Sequence, residues 1–148
     1  MSRDVRELIM DRIADLVRVQ GVATSARNLP ALSDSAALPA VIVFDGNEES
    51  DLTRFAGKNG LTVYPVRMEP IIRVIAQGDE AVVGNDLCTL RLRIISAILS
   101  DATLAGLSAD GTGVRYLGTL TNFTQARAVQ GDMVIRFSIL YYLRPSEL

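Results

Sequence analysis

MVIRFSILYYLR, residues 133–144, places Met133, Ile135, Phe137, Ile139, Tyr141 and Leu143 at every second position. A period of two sets those six on one face of a β-strand and Val134, Arg136, Ser138, Leu140, Tyr142 and Arg144 on the other. The first set is apolar throughout, so the strand is long and buries one face. Upstream, Gln130-Gly131-Asp132 reads as a turn, and residues 114–128 read as a second extended run. Two strands joined by a short turn pair most simply as an antiparallel hairpin.

Working back toward the N-terminus, Leu87, Leu90, Leu92, Ile94, Ile95, Ile98 and Leu99 give a helix with a wide apolar face, starting at Asn85 or Asp86 and ending near Ser100. Asp101 or Ser100 caps a further short turn that carries Leu104 and Leu107, and Asp110-Gly111-Thr112-Gly113 closes the helical section. Ile71, Ile72, Val74, Ile75 and Ala76 form a strand covered on both faces and interrupted by Arg73; Pro65 and Pro70 argue against a central strand at their own positions. Ala40, Val41, Ile42, Val43 and Phe44 form another buried strand, stopped by Asp45-Gly46. Residues 45–60 show turn signals at both ends and no apolar periodicity, which predicts a solvated, mobile loop. A Pro- and Ser-containing loop precedes the Ala40 strand, and residues 22–25 form a short strand before that loop.

The first helix spans residues 3–19, where Val5, Leu8, Ile9, Ile13, Leu16 and Val17 make one stripe against a charged opposite face. Ser2 or Asp4 can cap it, Glu7 stands at capping-box spacing from Asp4, and Gly21 is placed to end it in a left-handed conformation. The order is helix, strands, helix, strands. It predicts a single α+β domain over residues 1–148: a largely antiparallel or mixed sheet of about four to five strands, with two main helices on one face.

Composition narrows the function. The 148 residues are 49% hydrophobic and 22% charged, with 16 Gly and Pro together and a net charge of −2, which excludes a collagen, a disordered tail and a disulfide scaffold. The opening MSRDVRELIM is charged throughout and has no apolar core of a secretory signal; no window approaches about 18 apolar residues, so neither secretion nor a membrane span is expected. The default compartment is a reducing cytoplasm, where Cys88, the single Cys, is expected to be a buried small hydrophobe. With no His in the chain, Ser-His-Asp and Cys-His catalysis and the commonest metal ligand are excluded. Neither a phosphate-binding GxxxxGK[ST] loop nor a GxGxxG fingerprint is present.

Two carboxylate groups remain as candidates for His-independent chemistry: Asp45, Glu48, Glu49 and Asp51, and the pair Asp79, Glu80. The first group lacks calcium-loop order and reads as a solvated face or a charged partner surface. No catalytic residue, cofactor or metal is assigned. Arginine outnumbers lysine fourteen to one, Lys58 being the single lysine, yet the arginines are spread along the chain and offset by seventeen Asp and Glu, unlike a nucleic-acid-binding patch. Most of this excess reads as codon bias. Arg73 and Arg136 stand apart, because each interrupts an apolar strand and must reach a carboxylate, a sheet edge or a neighbouring subunit. Both are candidate subunit-interface residues.

The segment Leu38-Pro39-Ala40-Val41-Ile42-Val43, the helix ending Ile94-Ile95-Ser96-Ala97-Ile98-Leu99, the Asp101-x-x-Leu104-x-x-Leu107 step, and the Gly131-Asp132-Met133 strand closing on Tyr141-Tyr142 follow a charged N-terminal helix and an acidic loop. In this element order the chain resembles, over nearly its full length, the tail terminator proteins of long-tailed bacteriophages. The resemblance implies a structural virion protein, not an enzyme. Such a protein forms a hexameric ring on the head-proximal end of the tail tube, stops tube polymerisation and offers the head-joining surface. It implies as partners a second copy of itself, the tail tube protein and the head-completion or connector protein, with DNA passing through the lumen, no membrane, and assembly in the host cytoplasm. On that reading Asp45, Glu48, Glu49 and Asp51 face the lumen or the tube. Other phage neck or head-tail completion proteins, gene-transfer-particle components and a small carboxylate hydrolase are the alternatives.

Overall fold

The computed structural model describes residues 4–51, 63–125 and 129–145. Helix α1, Val5–Arg18, starts at Asp4, whose side chain accepts a hydrogen bond from the Arg6 backbone N–H, so one orphan donor of the first turn is satisfied. Its C-cap is Val19, and Gly21, at φ +84°, supplies the left-handed step just beyond. Strands β1 (Thr24–Arg27), β2 (Ala40–Ser50) and β3 (Tyr64–Gly78) follow, then α2 (Glu80–Leu99), α3 (Ala102–Leu107), β4 (Val114–Gln125) and β5 (Val129–Leu143). The sheet order is β1-β2-β3-β5-β4. β1 and β2 are parallel, and every other pair is antiparallel.

The alternation along β5 decides where the core lies. Met133, Ile135, Phe137, Ile139 and Tyr141 are buried, and they face Val74, Ile72 and Val66 of β3 through the β3–β5 register or its immediate neighbours. Val41 and Val43 of β2 continue the same layer, and Ile9, Met10, Ile13 and Val17 of α1 and Val83, Leu87, Leu90, Ile94 and Ile98 of α2 close over it in one cluster. Both main helices therefore lie on one face of the mixed five-stranded sheet, as the pattern predicts. On the opposite face stand Arg67, Glu69, Ile71 and Arg73 of β3 and Asp132, Val134, Arg136 and Ser138 of β5. Residues 31–38 lie over one end of that face, where they line a cavity with Arg73 and Ile75.

Several boundaries differ from the sequence reading, each for a physical reason. Residues 45–50 are not loop but the continuation of β2, paired from Asn47–Glu69 to Ser50–Val66. A register shift between Phe44 and Asn47 absorbs Gly46, so the strand bends where the sequence signals a turn. The remainder of the expected loop, residues 52–60, lies outside the described residues. Pro70 sits within the central strand β3, at a point where the pairing with β5 skips from Met68 to Ile71, so its missing N–H interrupts no ladder bond there. α2 starts at Glu80 rather than at Asn85, because Val83 carries its buried stripe one turn further back. Gln130-Gly131-Asp132 is strand, not turn: a Cβ on Gly131 would lie 2.3 Å from Leu87 Cδ1, so the glycine lets α2 approach the sheet. Cys88 is exposed rather than buried, one position off the Val83-Leu87-Leu90-Ile94 stripe.

Gly46 has the tightest surroundings. It adopts φ +71°, and a Cβ there would stand 1.9 Å from the Glu69 carbonyl oxygen. Gly46→Ala is expected to destabilise the protein by at least about 2 kcal/mol, combining left-handed strain with a backbone clash. Urea unfolding of the variant, with the slope unchanged and the midpoint lowered, is the measurement that checks this.

Candidate functional site

Of the acidic residues singled out in the sequence, Asp45, Glu48 and Asp51 meet arginines of their own chain. Asp45 leaves β2 on the helix side, where Arg27 Nε donates to its Oδ1 at 2.8 Å while Arg27 Nη1 donates to Glu7 Oε1 of α1 at 2.7 Å. Asn28 Nδ2 donates to the same Asp45 Oδ1, and the Asp45 backbone N–H donates to Asn28 Oδ1. One guanidinium thus ties β1, β2 and α1 together. Glu48 accepts from the Tyr141 hydroxyl at 2.7 Å and stands 3.2 Å from Arg6 Nη1, while Arg6 Nη2 donates to the Gly46 carbonyl. Asp51 stands 3.3 Å from Arg67 Nη2, and Glu49 is the cross-strand neighbour of Arg67.

The electrostatics follow the contacts. Hydrogen bonds from Arg27 hold the Glu7 and Asp45 carboxyls below their ordinary values, and Arg27 is correspondingly held protonated. Arg12 does the same to Asp101 through a two-pronged contact between α1 and the cap of α3. Burial, reinforced by the bond to Glu48, pushes the Tyr141 hydroxyl up. Asp45, Glu48 and Asp51 thus act as counter-ions to Arg27, Arg6 and Arg67 of the same chain.

The two strand arginines separate. Arg73 Nε lies 2.9 Å from Asp132 Oδ2 and 3.0 Å from Oδ1, so its partner is internal and adjacent on β5. Arg136 reaches Glu69 at 3.8 Å, with both side chains close to half exposed. Asp79 is the exposed N-cap of α2 and does not line the 340 Å³ cavity beside Arg73; among the described residues the carboxylate lining that cavity is Asp34. Among the described residues no group of three or more Asp, Glu, Cys or His could hold a metal.

Sequence reasoning missed the surface with the most apolar exposure. β4 is an edge strand of twelve residues with one charge, Arg115, and no proline. Leu120 is 69% exposed, Phe123 51% and Leu117 43%. Leu120 pairs with Val134 and so lies on the helix-free face, whereas Phe123 pairs with Gly131 and lies on the helix side. On α2, Leu92 is 60% exposed, with Val82 and Leu99 also outward. Arg91 of α2 binds the same edge: its Nε donates to Thr119 Oγ1, its Nη2 donates to the Tyr116 hydroxyl, and its guanidinium carbon sits 5.5 Å from the Tyr116 ring centroid. The strand's low charge was the available signal, visible once its place at the edge is known.

No family model matches the chain, and no curated protein matches it. Two solved structures are similar in fold along most of its length. One, described only by a sequence identifier, shares 12% identity, covers 95% of this chain and 96% of its own, and has a TM-score of 0.47. The other belongs to the virion of a native gene transfer agent particle, at 15% identity, 91% coverage of both chains and a TM-score of 0.46. Likeness at this level assigns no function.

Two outcomes follow from the ion pairs. Because the folded-state values of Glu7, Asp45 and Asp101 are depressed, their contribution is present at neutral pH and lost as pH falls through the ordinary carboxyl range near 4. Thermal unfolding between pH 7 and pH 3 should therefore show falling stability below about pH 5, with a shallower fall in Arg27→Met. Arg136→Leu should change stability by less than about 0.5 kcal/mol, as expected of a loose exposed pair. Arg73→Leu should cost about 1–3 kcal/mol by leaving Asp132 without its bidentate partner. Equal losses in the two variants would contradict this assignment.

Proposed function

We propose that this protein is a structural component of a phage-like virion, a tail terminator that closes into a hexameric ring on the head-proximal end of the tail tube. The observation that carries the reading is the edge of β4, which no strand among the described residues covers. An unpaired strand presents a row of N–H and C=O groups that templates pairing with another chain, and soluble monomers guard such edges with lysine, proline or a covering element. β4 carries one charge and no proline, and it exposes Leu117, Leu120 and Phe123. A closed ring needs a heterologous contact in which one patch meets a different patch on the next copy, and this edge supplies the first patch.

On this reading the role is not enzymatic. The ring stops tube polymerisation, the tube protein and a head-completion or connector protein are its neighbours in the virion, and DNA passes through the lumen without sequence-specific contact. Asp45, Glu48 and Asp51 are neutralised within the chain, so repulsion of DNA is not assigned to them. The element order and the Leu38–Val43 and Tyr141-Tyr142 segments add the resemblance already described.

Electron microscopy of tubes assembled from the cognate tube protein tests the reading. Added protein should appear as a ring at one end and arrest elongation. Leu120→Asp combined with Phe123→Asp should retain the monomer's circular dichroism and lose both effects. Tubes that elongate without limit, with bare ends at saturating wild-type protein, would overturn it.

A further inference from the structure

Arg67 of β3, Ser138 of β5 and Arg115 of β4 stand side by side across three adjacent strands, on the sheet face that the helices leave free. The register sets Arg115 opposite Ser138 and Arg67 opposite Leu140, two positions further along the same face of β5. Together with Thr112, Gly113 and Leu140 they line an open cavity of about 160 Å³. Ser138 forms part of it while being only 2% exposed, and it is one of two buried polar side chains among the described residues.

The donors are under-used. Arg67 Nη1 donates to Ser138 Oγ at 3.3 Å, and its Nη2 donates to Asp51 Oδ2 at 3.3 Å, both at the long end of hydrogen-bonding distance. Among the described residues Arg115 has no hydrogen bond, ion pair or ring contact, and it is exposed. Strands in a sheet are about 4.8 Å apart and rise about 3.3 Å per residue, so the fold roots two guanidinium side chains on β3 and β4, roughly 12 Å apart, with a hydroxyl between them. Arg67 already meets Asp51 and lies opposite Glu49, so the unmet charge is that of Arg115, and an anion held between the two guanidiniums and the hydroxyl meets it.

We propose that the Arg67–Ser138–Arg115 cavity binds a phosphate group. A carboxylate has two oxygens, and a bidentate contact with one arginine engages both. A tetrahedral phosphate presents further oxygens, so it can meet a planar fork from each side and a hydroxyl at once. Thr112 Oγ1 donates to the Ala109 carbonyl and the Gly113 N–H donates to Ser108 Oγ, which leaves the two guanidiniums and the Ser138 hydroxyl as the donors. The cavity has room for a phosphate and is open to solvent, so a group attached to that phosphate can extend outward. The inference does not depend on ring formation.

The full-length protein, labelled with ¹⁵N, is titrated with sodium phosphate at constant ionic strength set with sodium chloride. Saturable shifts are expected for the Arg115 and Ser138 amides and for the Arg67 side-chain Nε–H. Arg115→Gln, an exposed change that should leave the unfolding temperature as it is, should weaken binding at least tenfold; Ser138→Ala should weaken it several-fold. Arg136→Gln, outside the cavity, should leave it unchanged. A thymidine oligonucleotide forms the second arm: saturation of the same signals at lower concentration than phosphate assigns the group to a nucleic-acid backbone, and saturation by phosphate alone assigns it to the free ion. Linear shifts reproduced by chloride, or equal weakening by Arg115→Gln and Arg136→Gln, would overturn the proposal.

Discussion

Burial of one face of β5 under two helices is the constraint on which the other elements depend. Met133, Ile135, Phe137, Ile139 and Tyr141 are each at most 4% exposed. Each such side chain stabilises the fold by roughly 1.5–3 kcal/mol relative to exposure, whereas an exposed ion pair contributes about 0–1 kcal/mol. The helices must therefore cover this layer whatever the polar groups do. Gly131 shows how strongly the requirement acts, since the strand gives up a side chain to let Leu87 down onto it. The arginine clamps are then arranged around the rim of this layer, fixing how α1 sits rather than whether it does.

Multidentate pairing accounts for three of the fourteen arginines, Arg12 and Arg27 at the rim of that layer and Arg73 on the opposite sheet face. Arg12 takes both oxygens of Asp101, Arg73 takes Asp132 with two nitrogens, and Arg27 bridges Glu7 and Asp45 from one planar group. A lysine ammonium is a point donor and cannot span two carboxylates on different elements in a fixed plane. Arginine at these positions follows from the geometry, and Asp45, read from the sequence as part of a charged loop, is one of its counterparts.

What the sequence made legible is what a local period can encode. The 133–144 alternation located the core face, and the α1 stripe located Ile9, Ile13 and Val17 against it. Polar strand is where local reading fails. Residues 45–50 carry turn signals and acids, yet they pair with β3, because their side chains find Arg27, Arg6 and Tyr141, up to 93 positions away. Arg27 itself carried no sequence signal, since its importance lies wholly in partners distant along the chain. Arg73 did carry one, a charge inside an apolar strand, and the structure resolves it as an internal pair with the neighbouring strand.

The two edges of the sheet are built to different ends. β1 has four residues, and its arginine is engaged by α1 and β2, so little of it is left to recruit another chain. β4 has twelve residues, leucine and phenylalanine on opposite faces, and a single charge. Arg91 is drawn onto Tyr116 and Thr119 rather than held out as a repelling charge. An edge of that length could be protected by one lysine or one proline at small energetic cost, since neither would touch the buried layer beneath the helices. Among the described residues the sheet is therefore asymmetric: no strand pairs with the outer side of the twelve-residue β4, whereas β1 ends the other side with four residues engaged by α1 and β2.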